Sequence, residues 1–456
     1  MSFDSDYLAP HLPKLRAAGH CYVGYSGGLD SHVLLHALVN LLGCESVTAI
    51  HINHQVSPNA NNWQQHCQAQ CDELGVRLVA ETVTVENTGQ GFEQAAREAR
   101  YSVFEKKLKQ SDLLLLAHHA DDQVETVLYR LLRGTGTKGL AGIPMNRPLG
   151  QGEILRPLLP FPRLELEGYA EAQDLEWIED ESNEDITFDR NFLRKKVVPV
   201  LAERWPDYAA RVTHSAALCA ETDQLAIILA AQDLAAVYER SERIGWSIAL
   251  EPFMALDVSR QANLLRHWAG QHQLPQPGHR IVDTVLHELL PARQDAEPLV
   301  SWGGVQLRRY QKHLHLLPES SIPLMGGSES EQLSGPLEKE LLGKELVWDA
   351  KSDLVLPDGS ELSMTKEQGK GLRIPNEGVS VRFRSGGERC KPAGRNGSNT
   401  LKKLFQEYGL EPWLRNRVPL IYVQDQLAAV GDLWVCDEFL VSEDEQGAVL
   451  QWRFPS

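Results

Sequence analysis

Ser26-Gly27-Gly28-Leu29-Asp30-Ser31 constrains this chain more than any other stretch, because it joins a short apolar run to an amphipathic one. Cys21, Tyr22, Val23 and Tyr25 read as a buried strand, and Val33, Leu34, Leu35, Ala37, Leu38, Leu41 and Leu42 recur behind it at helical spacing. The result is a strand, a glycine turn and a helix. The first N–H groups of such a helix lack intrahelical partners and carry the positive end of its dipole, so an anion is welcome there. Paired glycines let the backbone approach phosphate oxygens, and the Ser26 and Ser31 hydroxyls can donate to them. No Lys follows the glycines, so the Walker pattern is absent. Asp30 would repel bare phosphate but suits one carrying Mg2+. The same string also suits a plain turn capped by Ser31 or Asp30.

The segment 1–211 alternates strands and helices, with strands expected at 47–52, 77–85, 113–117 and 153–159 and helices through 91–110 and 122–133. This predicts an α/β fold with a doubly wound, Rossmann-like parallel sheet that binds ligands at its strand C-terminal ends. A helical domain is expected over 212–317, ending in a strand-like coda at 299–317. Residues 318–345, rich in Pro, Gly, Ser and Glu, read as a linker. A small α+β domain follows over 346–456, with strands at 379–383, 419–423 and 427–430 around a helix at 400–408.

The 45 Lys and Arg against 62 Asp and Glu give a net charge of −17, which excludes nonspecific coating of nucleic acid but not a local basic surface. No signal-like leader and no membrane-length apolar run is evident, so a cytoplasmic protein without membrane contact is expected. The seven cysteines lack C-x2-C spacing, with Cys67 and Cys71 four apart, and are expected to be free thiols. The assembly is open, a homodimer included.

Three clusters lie where the expected sheet binds ligands. His51, Asn53 and His54 close the second strand. His118, His119, Asp121, Asp122, Gln123 and Glu125 crowd the exit of the fourth, where Asp122 and Glu125 also have capping-box spacing. Arg97 and Arg100, one helical turn apart, can offer two guanidinium forks to phosphate, although Glu93 and Arg97 also suit a surface ion pair. Arg130 and Arg133, ending the acidic helix before Gly134, can cap it or face phosphate.

Taken in order, SGGLDS, HINH, GFEQAAREARY, AHHADDQVETVLYRLLRGTGTKGLAG, RPLL and DESNEDITFDRNFLRKKVVPVL resemble the tRNA(Ile)-lysidine synthetase family of PP-loop N-type ATP pyrophosphatases. VRFRSGGERCKPAGRNGSNTLKKLFQEYGLEPWLRNRVPLIY is similar to that family's C-terminal domain. The resemblance implies ATP-dependent joining of L-lysine to C2 of the wobble cytidine of a CAU-anticodon isoleucine tRNA, through an adenylated intermediate. It implies ATP contacts from Ser26, Gly27, Gly28, Leu29, Asp30, Ser31, His51, Asn53, His54 and Arg97, with Mg2+ on Asp30 and Asp122. Asp30, Asp121, Asp122 and Glu125 are then candidates for metal and lysine recognition, and His118 or His119 for the base that deprotonates the lysine amine.

RNA contacts are expected from Arg190, Asn191, Arg194, Lys195 and Lys196. In the C-terminal domain they are expected from Arg389, Lys391, Arg395, Lys402 and Lys403. Between residues 373 and 417, ten Lys or Arg stand against four Asp or Glu. Phe405, Tyr408 and Trp413 lie among these charges and suit either base stacking or core packing. The rival readings are a PP-loop tRNA thiolase, an amide-forming PP-loop ligase, and a noncatalytic ATP-sensing or RNA-binding module.

Overall fold

Short apolar runs separated by amphipathic ones become strands and helices in the order the patterning predicts. The computed structural model describes residues 3–55, 57–84, 92–179, 185–293, 296, 298–319, 345–375 and 379–454. Most of the expected 318–345 linker, the end of the expected 77–85 strand and the Glu93 side chain lie outside the described residues. Two compact units are present, Met1–Leu225 and Ala226–Ser456, and their division falls within one long helix.

The first unit opens with α1 (Leu12–Ala17), β1 (Cys21–Gly24), α2 (Leu29–Leu42), β2 (Val47–Asn53), α3 (Ala60–Glu73), β3 (Arg77–Thr82) and α4 (Phe92–Lys107). It continues through β4 (Leu113–Leu115), α5 (Ala120–Leu132), α6 (Thr137–Leu140), β5 (Asn146–Leu149), β6 (Gly152–Leu155) and α7 (Arg163–Ala172). Then come α8 (Asp189–Phe192), a π-helical turn at Leu193–Val197, α9 (Val198–Arg204) and α10 (Tyr208–Ala236).

The six strands lie in the order β3-β2-β1-β4-β6-β5. All pairings are parallel except β5 with β6. The expected parallel sheet therefore carries an antiparallel edge. β5 escaped sequence analysis because Asn-Arg-Pro-Leu has no apolar alternation, and an edge strand tolerates its proline. Helices pack on both faces: α2, α3 and α7 contribute to one core, and Phe104 and Leu108 to the other. Leu113, Leu114 and Leu115 are buried, as a central parallel strand requires. The strand order reverses between β1 and β4, so the loops leaving those two strands flank the crevice where such sheets bind ligands.

In the second unit, the expected helical segment holds α11 (Leu250–Met254), α12 (Val258–Gln271) and α13 (His279–Thr284). The strand-like coda becomes three strands of a five-stranded antiparallel sheet whose other two, Arg240–Ser241 and Trp246–Ala249, were not foreseen. Strands Val379–Arg382, Leu420–Val423 and Gln426–Val430 and the helix Leu401–Glu407 form near their expected places. The long pair Glu361–Gln368 and Gln446–Arg453 was missed because its residues are largely polar. Ile244 and Leu317 share one core with Trp348, Trp413 and Trp452, so the C-terminal segment packs continuously with the segment before it.

Cys390 and Cys436, 46 residues apart, form a disulfide, which corrects the expectation of free thiols for that pair. Their separation carries no motif, and only the fold brings them together. Cys21, Cys44, Cys67, Cys71 and Cys219 are free.

Arg417 and Asp358 form an ion pair at 2.9 Å with side chains 8% and 0% exposed. Removing one partner of such a pair strands a buried charge, at a cost of about 3–5 kcal/mol. Arg417→Met should lower unfolding free energy by that amount in chemical denaturation, and adding Asp358→Asn should recover part of the loss.

Candidate active site

The glycine loop is organised by its own hydroxyls. Gly28 is the N-cap of α2, in place of the expected Ser31 or Asp30. Ser31 Oγ donates to the Gly28 carbonyl at 2.9 Å and accepts from the Ser26 N–H at 3.2 Å, with Ser26 Oγ 3.0 Å away. Gly27 has φ +84, and a Cβ there would lie 2.8 Å from Cys67 Sγ, so conformation and space both require glycine. Leu29 is buried in the core. Of the six loop residues, Ser26, Gly28, Asp30 and Ser31 line the adjoining cleft, whereas Gly27 and Leu29 support it from behind.

The acidic run divides in the same way. His119 caps α5, and its N–H donates to Asp122 Oδ2 at 3.1 Å, closing a capping box one turn earlier than the sequence spacing predicted. The His119 ring lies 3.7 Å from Asp30, 3.6 Å from Asp121 and 3.5 Å from Asp122. Burial disfavours its charge, but these carboxylates prevail and push its pKa up to about 9. The charged form of His119 is favoured among these acids, and that form has no lone pair with which to take a proton from an amine.

Asp121 accepts from the Arg163 N–H at 2.8 Å and the Tyr208 hydroxyl at 2.6 Å, tying α7 and α10 to α5. Although burial opposes ionisation, these bonds and His119 hold its carboxyl below the ordinary range. Gln123 grips the Ile143 backbone through both ends of its amide. Arg130 donates to the Gly139 and Gly142 carbonyls, so it braces the segment around α6.

Glu125 is 1% exposed, and Arg194 clasps it with two bonds of 2.6 and 3.1 Å. Arg190 stands 3.7 Å from Glu125 and 3.8 Å from Asp122. Both guanidinium groups are engaged with these acids, yet their side chains remain 32% and 31% exposed and Arg190 also lines the cleft. The sequence showed two arginines on one helical face but not which face α8 and the π-helical turn would present.

The cleft measures about 900 Å3, large enough for a nucleotide. From the acidic run, only His118 and Asp122 reach it. His51, Asn53 and His54 line it from the end of β2, and Arg97, Arg100 and Tyr101 from α4. His51 Nδ1 lies 3.0 Å from the Tyr25 carbonyl, which can only accept, so this nitrogen carries the proton and Nε2 is left as an acceptor. Asn53 donates to Asn61 and Gln64 and accepts from the Gln55 N–H, bracing the loop after β2.

Burial raises the Asp30 pKa, offset only in part by His119 and Arg163, and Asp30 Oδ1 is a buried atom without a hydrogen-bond partner among the described residues. Asp122 also suffers burial, but His119 and nearby cations hold its carboxyl low. Among the described residues, no three or more His, Cys, Asp and Glu side chains form a complete metal cage. Nucleotide enzymes hold Mg2+ through one or two carboxylates and the substrate's phosphates. Asp30 and Asp122 fit the requirement.

Elsewhere, Cys67 and Cys71 are fully buried, and burial pushes both thiols up to about 12, unlike a sulfur-transferring pair. In the C-terminal segment, Lys391 pairs with Asp437 at 2.5 Å and Arg395 with Glu407 at 2.5 Å. Arg373 pairs with Glu445 and Arg382 with Asp425. Asp425, Asp437 and Glu445, from outside that span, answer part of the excess counted over 373–417. Arg389 donates to the Ser398 carbonyl, while Lys196, Lys402 and Lys403 are exposed. Asn191 donates to the Asp185 carbonyl and lines the cleft, and Lys195 lies in the π-helical turn. Phe405 and Trp413 are core residues, and Tyr408 is exposed beside Trp434.

Arg156 opens the RPLL run that contributes to the family resemblance, but the sequence alone attaches no role to it.

Comparison with known proteins agrees with this geometry. The PP-loop domain family matches residues 6–201, the TilS substrate binding domain residues 249–315, and the TilS substrate C-terminal domain residues 379–452. The tRNA(Ile)-lysidine synthase of Coxiella burnetii is 38% identical over 453 residues, spanning 98% of this chain and 96% of its own. Its counterpart in Legionella pneumophila strain Lens is 39% identical over 440 residues, spanning 95% and 96%. That of Serratia proteamaculans is 38% identical over 456 residues, spanning 99% of both chains. A PP-loop cleft, both companion domains and end-to-end similarity at this level place the chain in the tRNA(Ile)-lysidine synthase family.

Proposed function

We infer that this protein is an ATP-dependent ligase that forms lysidine on tRNA(Ile), joining lysine to C2 of the wobble cytidine. The observation that carries the reading is a single crevice flanked by an anion-accepting glycine loop and by Asp30 and Asp122. Cytosine C2 is a poor electrophile because its oxygen leaves badly. Transfer of AMP from ATP to that oxygen, with release of pyrophosphate, makes AMP the leaving group, and the lysine ε-amine then displaces it.

The chain's residues divide this work. Ser26, Gly28 and Ser31, together with the start of α2, receive the phosphates. Arg97 and Arg100, on the opposite wall, add positive charge. Asp30 and Asp122 hold Mg2+, which when bound neutralises charge developing on the phosphates. His119 holds the carboxylates in place from behind the cleft. Glu125 and Arg194 brace this wall as a structural pair. Asp122, the acid of this group that also faces the cleft, serves the lysine ammonium in addition to the metal.

No helix among the described residues is long and apolar enough to cross a membrane. Exposed lysines, notably Lys196, Lys402 and Lys403, supply RNA phosphate contacts.

Incubation with ATP, Mg2+, labelled lysine and unmodified CAU-anticodon tRNA(Ile) should place label at the wobble cytidine. AMP formation without label would refute lysine as the nucleophile. Asp30→Ala should reduce adenylate formation by about 10²-fold or more, and EDTA should abolish it in the wild type. A second expectation separates structural from RNA-facing cations. Arg194→Met should cost about 3 kcal/mol of stability, partly restored by Glu125→Gln, with the salt dependence of tRNA binding unchanged. Lys403→Ala should leave stability intact and lower the slope of log K against log salt by about 1.

A further inference from the structure

Arg156 follows β6 directly and is 1% exposed, one of the largest fully buried side chains in the protein. A guanidinium at that depth is ordinarily matched by a carboxylate. Among the described residues its partners are uncharged groups. Its Nε donates to His118 Nδ1 at 3.2 Å, its Nη1 donates to the Pro144 carbonyl at 2.7 Å, and the Tyr101 hydroxyl is a third partner. Tyr101 is itself ringed by cations, with the Arg97 and Arg147 guanidinium carbons 5.0 and 4.9 Å from its ring centre. The wall of the cleft formed by α4, β6 and the end of β4 therefore gathers several arginines, with Arg156 buried among them.

The Arg156–His118 contact has one chemical reading. Guanidinium nitrogens carry only donors, so His118 Nδ1 must present a lone pair. A protonated ring would set two donors against each other at 3.2 Å. The ring is therefore neutral, and its proton sits on Nε2. Burial acts the same way, pushing the pKa of His118 down to about 3. With Nδ1 engaged, Nε2–H is the polar group His118 offers to the cleft it lines. A ring fixed in this form donates a hydrogen bond and cannot accept the proton of an attacking amine, which corrects the expectation of a base at His118.

We propose that Arg156 is a positioning residue that locks His118 as the Nε2–H tautomer, so that His118 donates to a phosphoryl oxygen of the nucleotide in the cleft. The proposal rests on the adenylating function inferred above. It adds a residue outside the glycine loop and the acidic run, and it turns His118 from base to donor. The partner is identified by chemistry: an anionic oxygen, held between an Nε2–H and the cleft-lining guanidinium groups of Arg97 and Arg100.

The first test is spectroscopic and needs no activity. In full-length protein labelled with 15N-histidine, long-range 1H–15N correlation should show one ring with Nε2 protonated and Nδ1 bare, and that ring's signals should vanish in His118→Gln. In Arg156→Met the same ring should lose its fixed tautomer. Finding His118 protonated on Nδ1 in the wild type would overturn the proposal.

The second test compares two substitutions at the same place. The Gln side-chain amide reaches the position of Nε2, and that of Asn the position of Nδ1. His118→Gln should keep kcat for pyrophosphate release from ATP within about 10-fold of wild type, whereas His118→Asn should lose on the order of 10²-fold or more, as for removal of one oxyanion donor. Equal losses in the two variants would refute the donor role. A wild-type enzyme with the expected tautomer that released pyrophosphate without joining lysine to tRNA would fault the lysidine assignment and leave this one standing. Neither the wild-type spectrum nor the Gln and Asn pair depends on Arg156→Met folding.

Discussion

One buried histidine, His119, holds the active-site wall together. Its ring lies within 3.7 Å of Asp30, Asp121 and Asp122, and those carboxylates come from the helix after β1 and from α5. Asp121 in turn fastens α7 and α10. Four segments thus meet at one cation. Three carboxylates this close would repel one another and take up protons if left alone, and the imidazolium lets them stay ionised beneath a cleft. Among the described residues the arrangement leaves Asp30 Oδ1 without a hydrogen-bond partner.

A second shell of charge works in the opposite sense. Arg97, Arg100 and Arg147 gather on or beside α4 and β5, with Arg156 buried beneath them. The nucleotide cleft thus has an acidic wall that receives metal and ammonium and a basic wall that receives phosphate. Both are built on rigid elements: the acidic wall on the N-termini of α2 and α5, the basic wall on α4 and the end of β6. The strand order explains why they face one crevice, since the loops that leave β1 and β4 part company there.

The distribution of basic residues in the C-terminal segment shows how far local charge counts reach. An excess over 373–417 suggested a basic surface for RNA phosphates. Asp425, Asp437 and Glu445, all from later in the chain, fold back onto Arg382, Lys391 and Arg373. Arg417 is buried against Asp358, and Arg415 donates to the Leu410 carbonyl and the Tyr310 hydroxyl. Net charge along a sequence is a sum over neighbours in the chain. A phosphate meets neighbours in space.

Hydrophobic period, glycine punctuation and residue order along the chain determined the alternating α/β unit, the position of the phosphate loop and the membership of the acidic run, because these are local properties of a polymer with fixed strand and helix repeats. The tertiary structure decided which members of each run face the cleft. Asp122 and His118 do so, whereas Glu125, Asp121 and Gln123 are turned to Arg194, to Tyr208 and to the Ile143 backbone. It also decided protonation: His118 and His119 are adjacent in sequence, yet one is held neutral by an arginine and the other charged by three acids. Desolvation and pair charges depend on distances between groups that the chain keeps far apart until it folds, so no pattern along the sequence carries them.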